Sequence, residues 1–219
     1  MLRQELHRPF RVFLLLIAIG LGSAVPARAA SAPKPPESGA RLQDFVPKGW
    51  AVLMQAEGDL NRDGKPDAAL ILKNPAEDSM QEEWPRPLVL LLQNPEGGGY
   101  RLSAASEQAV LCRTCGGIFG DPLAELQIKN GVVIIDHYGG SRFRWGYTHR
   151  WRRQDGDWIL IGETKISHDT AGPEAKEDDF NWLTGDRIVK VTDADGKVKT
   201  TKRREAKKPP AKLSTFKFE

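Results

Sequence analysis

The chain has 219 residues and a formal charge of +3, from 32 Lys and Arg against 29 Asp and Glu. Without a leader about 190 residues remain, enough for one domain with a proper core and short of a comfortable second. The basic excess is mild and sits mostly between Lys197 and Lys217, where only Glu205 opposes it, so it reads as a solvated edge strand and tail.

At the N-terminus Arg3, Arg8 and Arg11 precede the apolar run Val12 to Gly22, and Ala27-Arg28-Ala29 supplies an A-x-A cleavage pattern. Residues 1–29 therefore read as a signal peptide, which places the mature chain in the periplasm or outside the cell and points away from a nucleic-acid partner. The apolar run is shorter than the ~20 residues that span a bilayer and no second one follows, so no transmembrane segment is expected in the mature chain. No cysteine stands at the cleavage site, which argues against a lipoprotein. Residues 30–41 are rich in proline and small polar residues without periodicity, as in a disordered linker. Residues 42–219 read as a single β-rich domain with a basic C-terminal tail, folding from near Leu42.

Apolar runs of four to eight residues, alternating or continuous, recur between Gly, Asp and Asn turns, while helical periodicity is rare. The expected strands are Trp50 to Gln55, Ala68 to Lys73, Leu88 to Gln93, Leu126 to Lys129, Val132 to His137, Phe143 to Arg152, Trp158 to Ile166 and Arg187 to Val191. Asn130-Gly131, Asp155-Gly156 and Asp195-Gly196 tolerate positive φ and favour hairpins. The fold class is thus mainly β, a single antiparallel domain built as a sandwich or an open barrel of successive hairpins. Two acidic, proline-containing segments, Asn74 to Pro87 and Ser167 to Asn181, read as surface loops, with a short helix in Ala76 to Glu83. No internal repeat supports a solenoid or a full propeller.

The strongest chemical pattern is Asp59-Leu-Asn61-Arg-Asp63-Gly64-Lys65-Pro-Asp67. Side-chain oxygens fall at the first, third, fifth and ninth positions, glycine takes the sixth where the backbone turns sharply, and Lys65 offers its carbonyl at the seventh. Calcium is a hard cation that takes six to eight oxygens, which this spacing supplies from one loop. A helical EF-hand needs a bidentate Glu at the twelfth position, and Leu70 stands there inside an apolar run. With a strand on each side, the loop instead resembles the calcium loops of FG-GAP and VCBS-type repeats, known from integrin-like propellers and exported bacterial proteins. That resemblance covers about twenty-five residues, Ala51 to Lys73, and implies Ca²⁺ held by Asp59, Asn61, Asp63, Lys65 and Asp67. The loop occurs once, so the propeller itself is not implied. A tight Asp/Asn-rich hairpin that binds nothing is the plain alternative, and Asp193-Ala-Asp195-Gly196 lacks the remaining ligand positions.

Cys112 and Cys115 are the only cysteines, and in an oxidising compartment they are expected to form a structural disulfide. A redox pair is favoured at a helix start, whereas Gly116-Gly117 follows here; zinc needs two further ligands that no second motif supplies. The run Cys-Arg-Thr-Cys-Gly-Gly, with Gly120-Asp-Pro122, His137-Tyr-Gly-Gly-Ser141, Arg144-Trp145 and Asn181-Trp-Leu-Thr-Gly185, resembles exported bacterial proteins of unassigned activity that pair such segments with the calcium loop.

No catalytic constellation emerges. Gly139-Gly-Ser141 lacks the second glycine of a nucleophile elbow. Asp136-His137 and His168-Asp169 are strand neighbours whose side chains point to opposite faces. Trp145, Trp151 and Trp158 suit a sugar-stacking shelf or, more ordinarily, a core. The expected function is a calcium-stabilised binding or interaction module whose partner is a protein or an envelope glycan. The alternatives are a thiol-disulfide oxidoreductase using Cys112 and Cys115, a hydrolase using His137, and an inhibitor or immunity-type protein acting on a cell-wall enzyme.

Overall fold

The computed structural model describes residues 31–79 and 83–218. The signal-peptide reading lies outside the described residues. Among those described, no helix is long and apolar enough to cross a membrane.

Two strands, β3 (Asp67–Lys73) and β4 (Leu88–Gln93), carry continuous apolar runs, Ala68 to Leu72 and Leu88 to Leu92, rather than alternating ones. Such a run marks a strand buried on both faces. On one face Ala69, Ile71, Leu88, Leu90 and Leu92 enter the main core, and on the other Ala68, Leu70, Leu72, Val89 and Leu91 pack under Phe45. Each fully buried leucine here is worth about 1.5–3 kcal/mol.

These two strands are the centre of a five-stranded antiparallel sheet, completed by β2 (Ala51–Gly58), β5 (Tyr100–Ser106) and a two-residue β1 (Ser38–Gly39) in the order β1-β5-β4-β3-β2. The second sheet is a meander of successive hairpins: β6 (Leu123–Lys129), β7 (Val132–Gly140), β8 (Phe143–Gln154), β9 (Asp157–Asp169), β10 (Ala175–Asn181), β11 (Asp186–Thr192) and β12 (Val198–Arg204). Its inner face adds Leu126, Val133, Ile135, Trp151, Trp158 and Leu160 to the main core, so the two sheets share one apolar layer. The result is a mainly β, two-sheet antiparallel domain, with no closed barrel among the described residues. Asn130 and Gly131, and likewise Asp155 and Gly156, all have positive φ, as their hairpins require.

Four readings change. The expected linker ends as structure: Ser38 and Gly39 pair with Arg101 and Tyr100, because the outer face of β3 and β4 needs the cover that Phe45 brings. A Cβ at Gly39 would meet the Phe45 ring at 2.9 Å, so this approach needs glycine. The segment Ser167 to Asn181 is not a loop; it contains the end of β9 and all of β10, whose polar side chains pair across strands instead of entering a core. Arg187 reaches Asp178 at 2.6 and 2.7 Å, and Lys190 reaches Glu177 at 2.8 Å. The segment Asn74 to Pro87 begins with a 3₁₀ turn, Pro75–Ser79, and buries Glu77 and Arg86.

The basic tail is solvated only in part. All seven residues of β12 are exposed, but beyond it the chain turns back onto the start of β9. Leu160 N–H donates to the Ala211 carbonyl at 2.9 Å and Leu213 N–H to the Trp158 carbonyl at 2.8 Å. Leu213 is buried in the main core, and Phe216 packs against that core.

Candidate functional site

The Asp/Asn loop joins β2 to β3. Asp59 gathers the loop around itself: Oδ1 accepts the N–H groups of Arg62 at 2.6 Å and Asp63 at 3.1 Å, and Oδ2 that of Gly64 at 2.9 Å. Gly64, with φ of 82°, makes the sharp turn expected at the sixth position. Asn61 Oδ1 accepts from Asp63 N–H at 3.0 Å, its amide donates to Asp63 Oδ2 at 2.9 Å, and Asp63 Oδ1 accepts from Lys65 N–H at 2.9 Å.

Asp67 opens β3 and is wholly buried. Its oxygens accept from Leu60 N–H and Gln93 N–H, both at 2.8 Å, which ties the loop to the end of β4. Burial raises its pKa and the charge of Asp63 adds to the effect, while the backbone donors act against both. Among the described residues, every hydrogen-bond partner of the three carboxylates is a backbone N–H or the Asn61 amide. Lys65, the loop's own ammonium, is turned away onto the carbonyls of Asn94 and Pro95.

The donor chemistry fits a hard cation. An ionised carboxylate has about four lone-pair sites, and these hydrogen bonds leave some of them free on each Asp. Among the described residues no three carboxylate, imidazole or thiolate groups converge as a ready metal cluster. The donor set read from the sequence also uses the Asn61 amide and the Lys65 carbonyl.

Cys112 and Cys115 are joined in a disulfide. Cys112 caps a 3₁₀ turn, Arg113–Phe119, which contains Cys115 and is broken at Gly117, whose φ is 67°. Behind this turn lies a feature the sequence did not disclose. Arg86, fully buried, donates to Glu77 at 3.0 and 3.1 Å and to Asp121 twice at 2.6 Å. Burial alone would lower the Arg86 pKa, but the two carboxylates outweigh it and raise it. The network clamps the Pro75–Ser79 turn to the segment that leads into β6.

The candidate catalytic groups separate. His137 is buried, and its Nε2 accepts the Leu111 N–H at 3.3 Å rather than meeting a carboxylate. Asp169 is held by Arg142 at 2.7 and 2.8 Å, not by an imidazole. Trp151 and Trp158 are core residues, while Trp145 covers Gly139 on the neighbouring strand.

A cavity of about 660 Å³ opens where the C-terminal segment crosses β8 and β9. Tyr147, Trp182, Phe216 and Phe218 give it aromatic walls, and His149, Glu163 and Lys165 give it polar groups. The registers Tyr147 opposite Lys165 and His149 opposite Glu163 place these four on one face of the sheet. His149 Nε2 donates to Glu163 Oε1 at 3.1 Å, and Lys165 Nζ lies 3.3 Å from the same oxygen. Burial would raise the Glu163 pKa, but these two partners outweigh it and hold the carboxyl below its ordinary range. Trp182 arrives through the Asn181-Trp-Leu-Thr-Gly185 motif: Asn181 Oδ1 accepts from Leu183 and Thr184, and Trp182 N–H donates to the Ile161 carbonyl. The sequence signals of this site are the Asn181-Trp-Leu-Thr-Gly185 motif, which delivers Trp182, and the spacing of Tyr147 and His149 two residues apart on β8. The segment that closes it is far away in the chain.

No family model, curated protein or solved structure matches the chain. The likeness of the Asp/Asn loop to FG-GAP and VCBS-type loops therefore rests on Ala51 to Lys73 alone.

Proposed function

We propose that this is an exported, calcium-stabilised β-rich binding module, in which the Asp59–Asp67 loop holds a structural Ca²⁺ and the aromatic cavity faces the ligand. The observation that carries the calcium reading is the set of acceptors in the loop: among the described residues, the carboxylates of Asp59, Asp63 and Asp67 are hydrogen-bonded only by backbone N–H groups and the Asn61 amide, while the Lys65 and Arg101 charges favour the Asp63 carboxylate without a hydrogen bond to it. The charge of Asp63 raises the Asp67 pKa, a repulsion that a bound cation would relieve. The residues that would hold it are Asp59, Asn61, Asp63 and Asp67 through their side chains and Lys65 through its carbonyl. Export rests on the basic N-terminus, the Val12 to Gly22 run and the Ala27-Arg28-Ala29 pattern.

The test is a melting curve with calcium, magnesium or chelator. At a hundredfold excess over its dissociation constant, calcium should add about 2.7 kcal/mol. Magnesium should add much less, because it demands a smaller, near-octahedral site. Asp63→Ala should abolish the rise and Asp193→Ala should keep it. Identical curves in calcium and chelator would leave the loop as a turn only.

A further inference from the structure

The cavity combines aromatic walls with a donor and an acceptor that are already in place. Its volume of about 660 Å³ falls within the range of small-ligand sites. Tyr147 and Phe218 stand edge to face at 5.7 Å, and Phe218 and Phe216 lie 5.0 and 5.2 Å from the His149 ring, so the walls brace one another. Glu163 Oε1 is engaged by His149 and Lys165, which leaves Oε2 as an acceptor, while Lys165 keeps further N–H donors. His149 is 2% exposed on its side chain, and its Nδ1 has no hydrogen-bond partner among the described residues.

Two ligand chemistries suit an aromatic site that contains a carboxylate. An organic cation would use the ring faces and Glu163, but the Lys165 ammonium lies within the same site, 5.8 Å from the Tyr147 ring centre, and would repel it. An organic anion would be drawn by the Lys165 and Lys217 ammoniums of the lining, but it would meet the Glu163 carboxylate, whose free Oε2 needs a donor rather than a second negative charge. A neutral ring with hydroxyl groups suffers neither repulsion, since its apolar face stacks on an aromatic wall and its hydroxyls both donate to Glu163 and accept from Lys165.

We propose that the cavity binds a neutral saccharide, one or two pyranose rings in extent, stacked on Tyr147 or Trp182 and hydrogen-bonded to Glu163 and Lys165. The inference rests on the binding-module part of the proposed function and not on the calcium site.

The test titrates the mature protein with cellobiose, maltose and diacetylchitobiose to about 10 mM, a range that captures millimolar binding, reading tryptophan fluorescence in calcium and in chelator. Sedimentation with insoluble cellulose and chitin distinguishes a polymer chain from a free sugar as the source of the rings. Saturable binding of at least one neutral sugar is expected. Glu163→Gln should weaken it about tenfold or more, as loss of a hydrogen bond to a charged group does. Lys165→Ala should weaken it several-fold; that side chain is 48% exposed, so its loss leaves the fold intact. Absence of binding to every sugar, binding unchanged in both variants, or tighter binding of tetramethylammonium would overturn the proposal. Sugar binding without calcium stabilisation would remove the calcium reading alone, and calcium stabilisation without sugar binding would remove this inference alone.

Discussion

His137 shows what one buried side chain does to the whole domain's response to acid. Burial pushes its imidazole down to about 3, the charges of His149 and Arg86 act in the same direction, and Asp121 acts against them. The folded pKa is thus below the unfolded value of about 6.5. The unfolded chain takes up a proton first, so the stability is present above pH ~6.5 and is lost as pH falls toward the folded value, by at most about 1.4 kcal/mol per pH unit. The Asp121 and Glu163 carboxyls are held low, and their losses begin only near pH ~5. Urea midpoints measured between pH ~7 and ~5 should therefore report the loss from His137 set against a gain from Asp67, whose raised pKa lets the folded state take up a proton first, and His137→Gln should flatten or reverse that slope. An equally steep slope in the variant would assign it to another group. From the sequence His137 was a histidine beside an aspartate; only the packing of Leu111 and Phe218 against it shows why it stays neutral.

Among the elements, legibility follows the origin of the order. Strands that bury a face, such as β3, β4, β7 and β9, are written in apolar residues and were readable. β10 and β12 were not, because Ala-Lys-Glu-Asp-Asp-Phe-Asn and Val-Lys-Thr-Thr-Lys-Arg-Arg are held by strand neighbours and ion pairs. The candidate calcium loop was local and legible as a spacing, whereas the cavity is assembled from β8, β9, a turn and the C-terminal segment. That last segment is anchored by Leu213, 1% exposed in the main core. Leu213→Ala should cost about 2–5 kcal/mol, as other buried leucine truncations do, and a guanidinium titration would measure it. A loss below ~0.5 kcal/mol, the usual range for surface substitutions, would mean that the segment merely rests on the sheet.

At the scale of the molecule the two sheets are unequal, five strands against seven among the described residues, and the shared core lies where they overlap. Strands β10 to β12 extend the larger sheet, and its last member offers a row of backbone groups with no strand beyond it among the described residues. Such a row is a template on which another molecule's strand can grow, and natural proteins block it with charge. Lys199, Lys202, Arg203 and Arg204 supply that charge here, with Arg203 and Arg204 also bound to Glu205 and Asp186. Mutual repulsion between two such edges is screened once the Debye length shrinks, to about 3 Å at 1 M salt. Light scattering should therefore rise with ionic strength, and Lys199→Thr with Lys202→Thr should raise it already at low salt. The positive charge near the end of the chain would then keep molecules apart in solution.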